Sequence, residues 1–297
     1  MNKQQGIALV QVLIITIILT MLSIFISQSV RQQVGVAQII SSGFEERIAL
    51  ENAQAQLTMA LLTQLHYPNK NADNEVVKTW NFHASPFLIN ENVEVTIQDL
   101  NGLLSINFLE RNIATKLFRL LEVNESDYRI FIDSLSDWKD ADSLKLLNGA
   151  EDDYYRKQSA IGPRNAYLQN IDEVGFVRNS NILTMTQWNQ FFSSELIVAF
   201  NPLNAPKQIL QALINDERVV SDVLALRQRN ELTSFKFFEL TGLDTSETLS
   251  FATGRKFRVE LRTLGSMAQV SKHYTVEVKP RSPKAPIVLT DVTWNNK

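Results

Sequence analysis

The sequence predicts an α+β protein in which a long N-terminal helix packs on an antiparallel sheet and a large all-helical domain is inserted into that sheet. Three observations predict it. An uncharged, mostly apolar run from Gln4 to Val30 leads, without a proline, into an amphipathic stretch that ends near Pro68. Two short regions, near 93–107 and 257–278, alternate apolar and polar residues, and a period of two marks a half-buried strand. Between them about 140 residues read as largely helical, enough for a domain of their own.

The first element follows from length and periodicity. At 1.5 Å per residue, the roughly 20 residues from Ile7 to Ile26 span about 30 Å, one hydrocarbon core. Apolar residues continue at Val30, Val34, Ala37, Phe44, Ile48, Leu57, Leu61 and Leu65. Their steps of three and four place them on one face, with Gln33, Glu45, Arg47 and Glu51 on the others. The reading is a transmembrane helix over 7–29 and an amphipathic stem over 30–66. Together they form one nearly continuous helix to about Gln64, roughly 87 Å long. Gly35 and Gly43 are its soft points, each about 1 kcal/mol less favourable than alanine.

Gly6 sits just before the apolar part, so residues 1–6 are a candidate leader. A secretory signal has a more basic start, a shorter apolar region and a cleavage site after that region. This start instead resembles the type IV prepilin and pseudopilin leader. The resemblance implies that prepilin peptidase cuts between Gly6 and Ile7, keeps the helix in the mature chain and leaves an N-methylated end. Related pilins carry glutamate at the fifth mature position, where this chain has Gln11. A neutral amide is cheaper in a bilayer than a carboxylate, but it cannot pair electrostatically with a neighbouring subunit's N-terminus. Lys3 and Arg31 flank the span on opposite sides and do not settle its orientation.

Residues 67–108 are read as the first part of the sheet domain. Pro68, Asn69, Asn71 and Asn74 mark a loop. Val93, Val95 and Ile97 alternate with Glu94 and Thr96. Asn101-Gly102 before Leu103–Asn107 reads as a hairpin turn. Residues 109–250 form the inserted helical domain, and 251–280 the second part of the sheet. There Phe257, Val259 and Leu261 pair with a strand built on Tyr274, Val276 and Val278. The tail 281–297 follows Pro280 and carries Pro283 and Pro286, so it is expected to be extended or loosely held.

Composition excludes several functions. The net charge of −3 provides no field for nucleic acid. The absence of cysteine excludes disulfides and thiolate metal sites. His66, His83 and His273 lie far apart without HExxH spacing, against a histidine-rich zinc site. Neither Ser-His-Asp nor Cys-His spacing is present, nor a phosphate-binding glycine loop, so no enzyme is expected.

The whole layout resembles the K-type minor pseudopilins of the type II secretion system (the GspK family). Asp99-Leu100-Asn101-Gly102-Leu103-Leu104-Ser105-Ile106-Asn107 looks like the family's first hairpin. Asp137-Trp138-Lys139-Asp140-Ala141-Asp142, followed by Gly149-Ala150-Glu151-Asp152-Asp153-Tyr154-Tyr155, resembles its most recognisable signature. Asn201–Pro206 matches the family's Asn-x-x-Asn-x-Ala-Pro run in part, without the usual threonine. Lack of a glutamate at the fifth mature position is itself a K-type trait. The resemblance implies a pilin-like fold with a helical insertion and an inner-membrane protein with cytoplasmic N-terminus and periplasmic bulk. Its implied partners are the I-type and J-type minor pseudopilins, other pseudopilins and inner-membrane secretion components. These form the pseudopilus tip complex that supports export of folded proteins. The rival with the same fold is a minor pilin of a type IV pilus, serving adhesion or DNA uptake.

The candidate site is acidic. Asp137, Asp140, Asp142, Glu151, Asp152 and Asp153 place six carboxylates within 17 residues. Calcium takes six to eight oxygens in irregular geometry, and the resemblance implies calcium in this domain. The alternative is a solvated loop with helix caps. The segment is not an EF-hand, because Leu144 and Lys145 fall where an oxygen ligand and glycine are needed. Further on, Asn204 as cap and Pro206 as an early helical residue begin a helix through Leu213, paired with a second built on Val219, Val220, Val223, Leu224 and Leu226. Its connector, Asn215–Arg218, carries two acids and no glycine, so the pair reads as a protein-packing unit rather than a DNA hairpin. Phe235, Phe237 and Phe238 read as core, or as a partner-facing patch.

Overall fold

The computed structural model describes residues 5–158, 161–197, 199–264 and 269–296. Residues 1–4 of the expected leader, Lys3 included, lie outside the described residues. Gly6 and Ile7 lie in the first turns of helix α1, which runs unbroken over Gln5–Thr63 through Gly35 and Gly43. Three hydroxyls of its apolar half are satisfied inside the helix. Thr16 Oγ1 donates to the Val12 carbonyl at 2.8 Å, Thr20 to Thr16 at 2.9 Å and Ser23 to Leu19 at 2.8 Å. That internal bonding is what a helix without water requires. No residue of its most apolar stretch is buried by the rest of the chain, which fits a single-pass membrane anchor.

The lower half of α1 packs on a five-stranded sheet. Leu50, Ala53, Leu57, Ala60 and Leu61 form its buried face. They share one core with Val93, Val95, Ile97, Phe257, Val259, Leu261, Tyr274 and Val276. The expected stripe is therefore corrected in part: Leu57 and Leu61 are buried, whereas Val30, Val34, Phe44, Ile48 and Leu65 are exposed. Contact with the sheet begins near Glu46, whose carboxylate accepts from Thr263 Oγ1 at 3.0 Å. Val30, Val34 and Phe44 lie before that point. Ile48 lies on a face of the helix turned away from the sheet, and Leu65 lies beyond the end of α1.

After α1 come a short helix α2 (Glu75–Thr79), strand β1 (Phe87–Asn90) and strand β2 (Val93–Asp99). The first hairpin joins β1 to β2, with Phe87 opposite Val95. The expected hairpin at Asn101-Gly102 is not formed. Leu100–Gly102 is a single 3-10 turn, because the Asp99 carboxylate accepts from the Asn101 amide at 3.0 Å and caps it. The chain then enters β3 (Leu104–Ser105), which pairs in parallel with a distant strand of the insertion, β4 (Phe192–Ser193).

The insertion contains α3 (Arg111–Leu120), α4 (Glu125–Lys139), α5 (Asp152–Lys157), α6 (Met185–Phe191), then β4, α7 (Lys207–Ile214), α8 (Glu217–Gln228) and α9 (Ser234–Thr241). It has its own aromatic-rich core around Phe118, Tyr128, Phe131, Trp188 and Phe192. The chain returns to the sheet as β5 (Lys256–Thr263), antiparallel to β2 with Asp99 opposite Phe257. The insertion therefore leaves and re-enters at neighbouring positions on adjacent strands.

Strand β6 (Val270–Val278) pairs with β5, and β7 (Ile287–Asn296) completes the order β1-β2-β5-β6-β7. The tail is thus corrected. Residues 287–296 are extended but held antiparallel to β6, from Val278 opposite Ile287 to Val270 opposite Asn296. Pro280, Pro283 and Pro286 all precede the strand, in the connection, where a missing N–H breaks no ladder.

Candidate functional site

The acidic site is built by the end of α4 and the start of α5. Trp138 is buried and stands edge-on to Tyr155, with ring centroids 5.1 Å apart. This contact fixes the two helices relative to one another. Lys139 donates to the carbonyls of Ile106 and Asn107 at 3.1 and 3.0 Å, and burial lowers its pKa to about 8. Asp137 is fully buried, and its carboxylate accepts from the Leu146 amide at 3.2 Å. A Cβ on Gly149 would lie 1.8 Å from Asp137 Oδ2. Only glycine allows the loop to close over this carboxylate.

Asp140, Asp142 and Glu151 converge, each with a carboxylate oxygen within 4.8 Å of the other two. Asp140 Oδ1 and Glu151 Oε1 are buried and have no hydrogen-bond partner. The pKa values of Asp140 and Glu151 are raised, first by burial and then by the repulsion of Asp142 and Asp137. Asp142 also accepts from the Leu144 amide at 2.7 Å. A cleft of about 540 Å³ opens here, lined by Asp142, Ser143, Glu151, Asp152, Pro163 and Asn165 among others.

Of the six carboxylates singled out in the sequence, the structure gathers these three. Asp137 lies behind them, bonded to the loop. Asp152 pairs with Arg156 at 2.5 Å, and Asp153 is exposed. Orphaned oxygens on converging carboxylates suit a hard divalent cation, which supplies the partner they lack and removes their repulsion.

A second polar cluster, which spacing alone does not reveal, joins the two domains. Asp99 is fully buried and accepts from Asn204 Nδ2 at 2.8 Å and from the Gly254 amide at 3.2 Å. The Asn201 amide donates to the Asn101 carbonyl at 2.7 Å. A Cβ on Gly102 would meet the Asn204 carbonyl oxygen at 2.5 Å, and one on Gly254 would meet Asp99 Oδ1 at 2.7 Å. Asn204 is therefore a buried bracket rather than the cap of α7; Pro206 stands in that position. The two motifs, 99–107 and 201–206, interlock. Burial raises the pKa of Asp99 against its hydrogen bonds, the mark of a structural carboxylate. The aromatic run divides: Phe237 is buried, whereas Phe235 and Phe238 are exposed on α9.

Residues 98–191 match the family described as type II secretion system (T2SS), protein K. No curated protein matches the chain. Among solved structures, a chain of the GspK-GspI-GspJ complex from the enterotoxigenic Escherichia coli type 2 secretion system has a TM-score of 0.55 at 14% identity. The match covers 89% of this chain and 99% of that one. At that identity the likeness speaks for the fold, a pilin-like frame with a helical insertion. The matched segment begins at the interdomain bracket and contains the whole acidic site.

Proposed function

We propose that the chain joins the I-type and J-type minor pseudopilins in a complex that starts, and sits at the tip of, the pseudopilus, and so supports export of folded proteins. The observation that carries this reading is the family match over 98–191, which contains the acidic site, on a pilin-like frame. The helical domain supports the tip position, because a block of this size beside the stem obstructs a subunit stacked above. Gln11 supports it too, since it offers no charge to such a subunit. The role is assembly rather than catalysis.

In this reading prepilin peptidase cuts after Gly6, Ile7 becomes the N-methylated end, and the bulk lies in the periplasm. Asp140, Asp142 and Glu151 hold a calcium ion, with Asp137 shaping their loop from behind. The ion supplies charge neutralisation that fixes the α4–α5 connection; the chain supplies the oxygens and the buried anchors Trp138 and Tyr155. The test is co-purification of the detergent-extracted chain with the I- and J-type subunits, with mass analysis of its N-terminal peptide. A ternary complex and a peptide starting at Ile7 are expected. A chain that still begins at Met1 and purifies alone overturns the reading.

A further inference from the structure

A cavity of about 290 Å³ lies at the junction of the two domains, away from the acidic site. Its lining includes Arg227, His83, Asn230, Leu232, Thr233 and Ser234. Arg227 is 7% exposed. It donates from Nη1 to the Ala205 carbonyl at 2.7 Å and from Nη2 to the Pro202 carbonyl at 3.2 Å, while its Nε has no partner. Among the described residues no carboxylate forms an ion pair with it; burial alone lowers its pKa, to about 10. Asp99, the buried acid of the neighbouring bracket, is held instead by Asn101, Asn204 and Gly254. A buried cation with no counter-charge is costly, and such groups are normally paired.

Thr233 and Ser234, at the N-terminal end of α9, line the same cavity. Thr233 Oγ1 caps the Lys236 amide at 3.2 Å. Among the described residues the amides of Ser234 and Phe235 have no such cap, and this end of the helix carries the positive pole of its dipole. His83 stays neutral, its pKa lowered to about 3 by burial and by Arg227, so the cavity carries one positive charge.

We propose that this cavity binds a carboxylate, seated on the Arg227 guanidinium and the first turn of α9. One cation calls for one negative charge rather than a phosphate dianion, and a planar guanidinium matches a planar carboxylate. The apolar part of the lining, Leu203, Leu232 and Phe251, suits the carbon stem of such a group. The carboxylate is either a free small molecule or an acidic side chain of a protein partner.

The test follows the melting temperature of the full chain in detergent during titration with sodium acetate, against sodium chloride at matched ionic strength. A saturable rise with acetate alone is expected. It should be lost in Arg227→Gln and in Ser234→Trp, which plugs the mouth from an exposed first-turn position. If Arg227→Gln does not fold, Ser234→Trp decides. The peptide acetyl-Gly-Asp-Gly-amide then separates the sources. Half-saturation at least ten-fold below that of acetate assigns a protein-borne carboxylate; equal or weaker binding assigns a free one. Equal effects of acetate and chloride, or an acetate rise kept in the variants, overturn the proposal and leave Arg227 as a cation held by carbonyls alone.

Discussion

At the scale of single residues, the acidic loop sets a pH dependence whose sign is fixed. Asp137, Asp140 and Glu151 all have raised pKa values, by burial first; repulsion adds to the shift, chiefly at Asp140 and Glu151. The folded chain therefore binds more protons here than the unfolded chain does. Metal-free stability at this site rises as pH falls through the raised values, and levels off below the unfolded values near about 4. Calcium bound at this site would invert the trend, because its ligands must be deprotonated. We expect calcium to raise the melting temperature more at about pH 7.5 than at about pH 5. The Asp140→Asn/Glu151→Gln double variant should melt higher without metal and lose the calcium response; an unchanged response would remove these residues from the site. The phenylalanines of α9 divide in the same residue-by-residue way. Phe237→Ala should cost about 3–5 kcal/mol in urea unfolding. Phe235→Ser and Phe238→Ser should stay within about 0.5 kcal/mol. A large loss at Phe235 would contradict its exposure.

At the scale of elements, strand β7 matters most, because it turns an apparent tail into a wall of the sheet. Its residues are nearly all exposed or half-buried, so it carries no strong alternation, and three prolines stand just before it. Pattern reading finds strands by their buried face, and an edge strand has little of one. Its hold on β6 is backbone pairing, with Trp294 lying 4.6 Å beneath the Lys272 ammonium. Ending the chain at Val278 should lower the melting temperature and increase light scattering, since β6 would become an open edge. Unchanged melting would mean that β7 contributes nothing. The failed hairpin at Asn101-Gly102 is the converse case. The dipeptide does turn, but the buried Asp99 carboxylate converts the turn into an exit from the sheet.

At the scale of the whole molecule, two cores meet at one polar bracket. The insertion leaves after β2 and returns before β5, and these strands are direct neighbours. The sheet and stem therefore close without it. Linking Asn101 to Gly254 through a short Gly-Ser connector should give a chain that still melts cooperatively, at a lower temperature. Asp99 would lose its Asn204 partner and account for part of that drop. Failure of this chain to fold would show that the helical domain templates the sheet.

The sequence by itself determined the long helix, the strands β2, β5 and β6, the inserted domain and the acidic segment. Each is written in local periodicity or composition, which the chain cannot hide: an apolar run of one membrane thickness, alternation over a buried sheet face, six carboxylates close together. Tertiary structure alone decided which of those carboxylates converge, that Asp99 and Asn204 bind across 105 positions, and that Arg227 lies buried with no ion pair among the described residues. It also placed β7 on the sheet. These outcomes depend on contacts between distant segments, and such contacts leave no period in the sequence.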